Sequence, residues 1–178
     1  DGSSFSSFSW TLGDSSPVRP KVVVAISCDG TKAAIAAAFN NDSGIVQVLN
    51  VEDGYLSEFK NPIVGKSSGE YPGLKIALDR TGSTLVIGSP YFNSDGKEDA
   101  GRVRIYDTVQ DLVVQTLVGD NSHDRIGSSV AITSDSEYIV YGAAGHDGPN
   151  GSKTDTGLAR VYKKNNDGTF RTCGQAIQ

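Results

Sequence analysis

The two histidines of the chain stand beside aspartates, as His123-Asp124 and His146-Asp147. Imidazole and carboxylate are the usual general acid–base pair of hydrolases, and a nearby serine would complete a triad. The serines at suitable places are Ser122 and Ser128. No G-x-S-x-G nucleophile elbow is present, and adjacency in sequence does not create triad geometry. Because Glu70 repeats Asp124 in the preceding repeat, we expect a structural role for this acid and assign no catalytic residue.

A loop rich in oxygen donors offers a weak calcium site. Asn93, Asp95 and Asp99 carry the hard oxygen ligands that calcium prefers. Their spacing falls short of an EF-hand loop, so a solvated turn is the alternative interpretation. Calcium is the only cofactor that the sequence suggests.

Two Asn-x-Ser sequons, at Asn41 and Asn150, are the candidates for glycosylation. Both depend on a secreted location, because glycans are added only there. The cysteines Cys28 and Cys173 lack metal-ligand spacing. They are interpreted as free or structural, with pairing to each other or to another chain, and a redox role, as alternatives.

Arginines alternate along two segments that we predict to be half-exposed strands: Arg102 and Arg104 on one, Arg160 on the other. Alternation of this kind indicates one solvated face, and a partner-binding face is the alternative. The glycine-rich stretch 142–151 has no phosphate-loop pattern.

The charge balance excludes several classes of function. Lys+Arg number 16 against 21 Asp+Glu, which gives a net charge of −5. This argues against non-specific nucleic-acid binding and against attraction to anionic membranes. No run of about 18 apolar residues exists, so we predict no transmembrane segment. The opening residues lack the basic and apolar stretches of a signal peptide.

A threefold repeat organises the chain and positions these groups. Each copy has an apolar run around Ala25, Ala77 or Ala131, then a polar turn, a second apolar run, a variable loop and a third run that begins with glycine. Steps of 52 and 54 residues separate the copies. Self-similarity at this period is typical of propeller blades or solenoid turns.

Each copy predicts four antiparallel strands. The run Ala33 to Phe39 would be assigned to a helix on propensity alone. We predict a strand there, because its counterparts are rich in Val, Ile and Tyr and seven residues are short for a helix. Fourth strands follow turns such as Asp53-Gly54, since Asp-Gly between apolar runs is a strong hairpin signal.

The predicted organisation is an all-β, propeller-like array of four-stranded antiparallel blades, with three blades present. The predicted segments are an N-terminal arm at 1–10, blades at 11–62, 63–116 and 117–172, and the start of a further repeat at 173–178. The arm either docks its aromatic residues or adds a strand to a blade elsewhere. Closed propellers need about four to eight blades, so we expect further blades of a longer parent chain, or other protein chains, as partners.

Three motifs resemble FG-GAP-like propeller repeats, the kind found in integrin α-chains. The motifs are Arg125 to Ile132, Val86 to Pro90 and Gly101 to Tyr106. The resemblance covers about residues 11 to 178. It implies a secreted or cell-surface repeat module, with an organelle lumen as the alternative location. Calcium-binding members of that family carry a D-x-D-x-D-G loop, but the corresponding turns here are only CDGT, RTGS and SDSE.

The expected function is therefore a non-enzymatic module for protein–protein or cell-surface interaction, acting as a structural subunit and possessing surfaces for glycans or protein chains. Two alternatives stay open. One is a glycan-active hydrolase or lyase on a propeller scaffold, and the other is a calcium-dependent adhesin. The hydrolase would take its acids from six residues: Asp95, Glu98, Asp99, Asp124, Asp147 and Asp155.

Overall fold

A computed structural model describes residues 21–37, 43–65, 70–148 and 155–177. The Asn41 and Asn150 sequons and the N-terminal arm lie outside these ranges. Within them the chain is all-β and contains no helix. Among these residues, none forms a helix long and apolar enough to cross a bilayer.

Three antiparallel sheets follow one another along the chain. The first contains β1 (Val22–Ile26), β2 (Lys32–Ala37), β3 (Ile45–Glu52) and β4 (Tyr55–Glu58), with the short β5 (Ile63–Val64) paired to β3. The second contains β6 (Lys75–Leu78), β7 (Thr84–Ser89), β8 (Arg102–Asp107) and β9 (Leu112–Val118). The third contains β10 (Ile126–Ile132), β11 (Tyr138–Ala143), β12 (Leu158–Lys164) and β13 (Phe170–Thr172). The predicted fold class, a partial propeller-like array of four-stranded blades, is confirmed.

The strand register is the same in all three sheets. Ala25, Ala77 and Ala131 of the first strands pair with Ala34, Val86 and Val140 of the second strands. The alanine-rich run is a strand, as predicted, because it lies between β1 and β3 and supplies backbone hydrogen bonds to both. Small side chains suit this position, since Ala34 and Ala36 are fully buried against the second sheet.

Apolar side chains fill the two interfaces between consecutive sheets. One core joins the first and second sheets through residues such as Val48, Leu85 and Ile87. The other joins the second and third sheets through residues such as Ile105 and Ile139. Burial of these faces is the main source of stability, because no sheet has a complete core of its own.

The inner strands β1, β6 and β10 lie side by side, with β6 between the other two. At one end of the array, the turns that follow these strands are joined by backbone hydrogen bonds. Asp29 N donates to Arg80 O over 3.0 Å, and Arg80 N donates to Ser134 O over 3.1 Å. The opposite end, which we call the loop end, carries the loops between second and third strands together with the linkers between sheets.

Candidate functional site

The linker between the second and third sheets places one carboxylate inside the array. Asp124 lies just before β10 and is 3% exposed. Its Oδ2 accepts a hydrogen bond from the Asn121 backbone N–H over 2.8 Å, and its Oδ1 lies 2.9 Å from His146 Nδ1. Both oxygens therefore have partners, which fixes the orientation of the carboxylate.

His146 lies in the loop after β11, and two backbone hydrogen bonds anchor it. Its N–H donates to Ala143 O over 3.4 Å, and its carbonyl accepts from Gly157 N over 3.0 Å. The imidazole is 18% exposed. A histidine oriented by a buried aspartate and still open to solvent has the arrangement that general-base catalysis needs.

A cavity of about 230 Å³ opens beside this Asp–His pair, between β9 of the second sheet and the facing side of the third. Its polar lining comes from Asp120, Asp124, Tyr141, His146 and Arg160, together with Thr116 and Tyr162. We call it the interblade cavity. Among the residues that the structure describes, no serine or cysteine lines it, so water is the nucleophile that these side chains can activate.

The charges of the interblade cavity are set by its surroundings. Burial lowers the pKa of Arg160, but Tyr141, Tyr162 and Asp120 together raise it above the usual range of arginine. Burial, followed by the neighbouring Tyr162, raises the pKa of the Tyr141 hydroxyl. At neutral pH the cavity therefore presents a guanidinium cation and an un-ionised phenol, both of which can donate hydrogen bonds to a developing oxyanion.

The interface between the first and second sheets contains a different cluster at the equivalent place. Glu70 repeats Asp124, and its buried carboxylate forms ion pairs with Arg102 and with Arg104, the latter at 3.5 Å. Burial, followed by repulsion from Arg102, lowers the pKa of Arg104 to about 10. The Arg102 guanidinium lies 4.0 Å from the centre of the Phe92 ring. Arginine side chains thus occupy the space that forms the cavity in the next interface.

The prediction of a solvated arginine face on the third strands is wrong for the second sheet. The side chains of Arg102 and Arg104 are only 12% and 9% exposed. They are buried because this strand face packs on the first sheet, where Glu70 supplies the compensating charge. The recurrence of an acid five residues after a linker glycine, at Gly65 and Gly119, indicates a structural role for that acid but not that arginines are its partners.

Two of the three calcium candidates are engaged with protein groups. Asn93 Oδ1 accepts a hydrogen bond from Asp99 N over 2.8 Å, and the Asp99 carboxylate lies 3.5 Å from Arg125 Nη2. Asp95 lies in the turn between them with a φ of 47°. Across the described ranges, no group of three or more His, Cys, Asp or Glu residues is placed to bind a metal ion.

The His–Asp contact in the structure joins one residue from each of the two adjacent His-Asp pairs in the sequence. Asp124 pairs with His146, whereas His123 is exposed and lies 3.9 Å from Asp99. Ser128 is engaged elsewhere, since its Oγ accepts from Ala144 N over 3.1 Å and donates to Arg125 O. Cys28 and Cys173 are both exposed and free.

Comparison with known proteins gives a likeness in structure but none in sequence. No family model matches the chain, and no curated protein matches it. Among solved structures, the chain is similar to a protein of Bacteroides fragilis named as a putative 6-phosphogluconolactonase, with a TM-score of 0.58 and 17% sequence identity. The match covers 88% of this chain and 38% of the Bacteroides protein. The likeness supports the propeller-type fold, and the chain spans well under half the length of that structure.

These comparisons correct two predictions. Membership of the FG-GAP-like repeats is wrong, because no family model matches and the similar structure bears the name of a lactonase. The expected non-enzymatic interaction module is corrected as well, since the similar structure bears the name of an enzyme. The FG-GAP motifs misled because the apolar and glycine positions that they share are those any blade of this size needs for strands and turns.

Proposed function

We propose that the chain carries the hydrolytic site of a propeller enzyme that opens a small sugar-derived lactone. The observation that carries the proposal is the 2.9 Å contact between His146 Nδ1 and Asp124 Oδ1 at the wall of the interblade cavity. The name of the Bacteroides structure supports the reaction class, because a lactonase is an ester hydrolase.

In the proposed reaction, water attacks the lactone carbonyl while the His146 imidazole takes one of its protons. Asp124 orients the ring and stabilises the imidazolium that forms. Arg160 and the Tyr141 hydroxyl stabilise the negative charge on the carbonyl oxygen. The tetrahedral intermediate then breaks its bond to the ring oxygen, which leaves as an alcohol after taking the proton from His146. One lactone and one water thus give one hydroxy acid.

The dimensions of the cavity favour a small substrate. Its volume of about 230 Å³ is below the lower limit of roughly 300 Å³ that is usual for drug-sized ligands. Tyr141 and Tyr162 lie with ring centres 5.8 Å apart and provide an aromatic wall. A single sugar ring is a suitable occupant, because it combines hydroxyl groups with an apolar face.

The test is an indicator assay of acid release from a panel of aldonolactones, with this chain and three variants. General-base catalysis contributes about 10²–10⁴-fold, so His146→Phe should lower kcat/KM by at least 100-fold. Phenylalanine is already present at the equivalent position of the second sheet, which makes this variant compatible with the fold. Asp124→Asn should lower kcat with little change in KM.

His123→Phe is the matched control, because His123 is exposed and does not line the interblade cavity. It should retain wild-type kcat/KM. Equal rates for His146→Phe and the wild type, or failure of the wild type to hydrolyse any lactone of the panel above the rate in buffer, would refute the proposal.

A further inference from the structure

A second cavity, of about 280 Å³, lies at the loop end where the inner strands of the three sheets begin. We call it the axial mouth. Lys21 precedes β1, Lys75 begins β6, and Arg125 precedes β10, so each sheet contributes one cation. Tyr91, from the loop after β7, adds an aromatic side chain that is 40% exposed.

The positive charge of the axial mouth is largely uncompensated. Within the described part of the chain, no acidic residue lines the cavity. Lys21 and Lys75 are exposed, and neither forms an ion pair with any residue in the described ranges. The Asp99 carboxylate lies 3.5 Å from the Arg125 guanidinium, at the rim of the cavity. In a chain with a net charge of −5, convergence of three cations from three sheets creates a local field that attracts anions.

Arg125 is positioned by the backbone around it. Its φ is 54°, and its N–H donates to Asp99 O over 3.0 Å. The guanidinium lies 6.0 Å from the centre of the Tyr91 ring. Ser128 Oγ donates to the Arg125 carbonyl. The backbone of Arg125 is therefore held in place at the rim, with its guanidinium near Tyr91 and Asp99.

We propose that the axial mouth binds a small phosphate-type anion. Arginine presents a planar fork of donors to phosphate oxygens, and two lysines add point charges from other directions. The site is distinct from the interblade cavity, because Asp124 lines only that cavity and Arg125 only the axial mouth. The proposal does not rest on the hydrolase activity, since it concerns binding alone.

The test is a titration of the whole chain with inorganic phosphate, in which sodium chloride keeps the ionic strength constant. Binding is monitored by the amide chemical shifts. The wild type should show saturable shifts at residues of the axial mouth. The double variant Lys21→Ala/Lys75→Ala should bind phosphate roughly tenfold more weakly, because two of three charged contacts are lost. Both lysines are exposed, so the substitutions should leave the fold unchanged.

The paired substitution Lys163→Ala/Lys164→Ala is the charge-matched control, because both lysines lie at the opposite end of β12 and neither lines the cavity. It should bind phosphate as the wild type does. Absence of saturable shifts in the wild type would overturn the proposal, as would equal affinities of the double variant and the control.

A second titration, with glucose 6-phosphate, distinguishes the source of the anion. Tighter binding than inorganic phosphate, reduced by Tyr91→Ala, would assign the site to the phosphate group of a sugar phosphate stacked on that ring. Equal binding of the two ligands, unaffected by Tyr91→Ala, would assign it to free phosphate. Lactone hydrolysis by the same variants is measured separately, so failure of this site and failure of the proposed enzyme are independent results.

Discussion

Phe92 and His146 occupy the same position in consecutive sheets but contact different partners. Each donates its N–H to the carbonyl three residues earlier and accepts a hydrogen bond from the glycine that precedes the third strand. Phe92 packs beneath the Arg102 guanidinium, whereas His146 bonds to Asp124. Leu158 stands where Arg102 does in the repeat, so the third sheet lacks the arginine that fills the earlier interface. The candidate site is thus a modified copy of a structural ion-pair cluster.

Leu158→Arg should convert the candidate site into the cluster of the second sheet. The new guanidinium would pair with Asp124 and fill the interblade cavity, which leaves no room for substrate. We expect kcat/KM for lactones to fall at least 100-fold, as for loss of the general base, while the sheets remain folded. Circular dichroism checks the fold, and Leu158→Ile controls for the change of a buried side chain. Undiminished hydrolysis by Leu158→Arg would show that the reaction occurs elsewhere.

Glu70→Gln should be strongly destabilising. The substitution leaves Arg102 and Arg104 buried without their counter-charge, and breaking a buried pair in this way costs about 3–5 kcal/mol. Urea unfolding measures the free energy of unfolding, and the exposed Glu58→Gln is the control. The double variant Glu70→Gln/Arg104→Met should recover part of the loss, because it also removes one of the two uncompensated cations. A change below about 1 kcal/mol for Glu70→Gln, the range of surface pairs, would contradict the burial of this cluster.

Gly88→Ala and Gly142→Ala test how closely the second strands β7 and β11 approach β10. A Cβ at Gly88 would lie 2.3 Å from the backbone oxygen of Gly127, which cannot move without separating the second and third sheets. At the equivalent Gly142, the nearest atom is Ser129 Oγ at 2.4 Å, the end of a side chain that can rotate away. We expect Gly88→Ala to cost at least the roughly 1–3 kcal/mol typical of overpacking, and Gly142→Ala clearly less. Equal melting temperatures for the two variants would disprove this difference.

Acid stability should depend on the carboxylates of the polar turns. The Thr133 hydroxyl, followed by the Glu137 backbone N–H, lowers the pKa of Asp135 below its ordinary value of 3.8. A lowered pKa in the folded state means that the carboxylate stabilises the fold above pH 3.8 and loses this contribution as the pH falls through its folded value. Asp135→Asn keeps the side-chain carbonyl acceptor but cannot titrate, so its stability should depend less on pH below about 4. Unfolding by urea between pH 2 and 5 measures the slope, with Glu52→Gln as a control; identical slopes for Asp135→Asn and the wild type would refute the assignment.

The repeat made much of the fold predictable. Glycines and apolar runs at constant spacing indicated the strands, and the counterparts of the alanine-rich run correctly outweighed its helical propensity. Asp53 and Gly54 both have positive φ, at 49° and 81°, as the predicted hairpin turn requires. The short β5 was not predicted, because two residues of a linker carry no periodic signal.

The candidate site was only partly predictable. The sequence pairs His146 with Asp147 and Asp124 with His123, whereas the contact in the structure joins Asp124 and His146, 22 positions apart. A position-by-position comparison of the repeats shows that His146 stands in place of Phe92 and Leu158 in place of Arg102. That the substitutions open a cavity depends on which strand faces pack together.

The amino-acid sequence by itself determined the repeat, the four strands of each copy and the turns between them, because these depend on local spacing and on residues such as glycine at positive φ. Only the tertiary structure decided which polar side chains are buried and with whom they pair. Burial and pairing depend on the packing of one sheet against the next, and two copies with nearly the same pattern can enclose an ion-pair cluster at one interface and a cavity at the other.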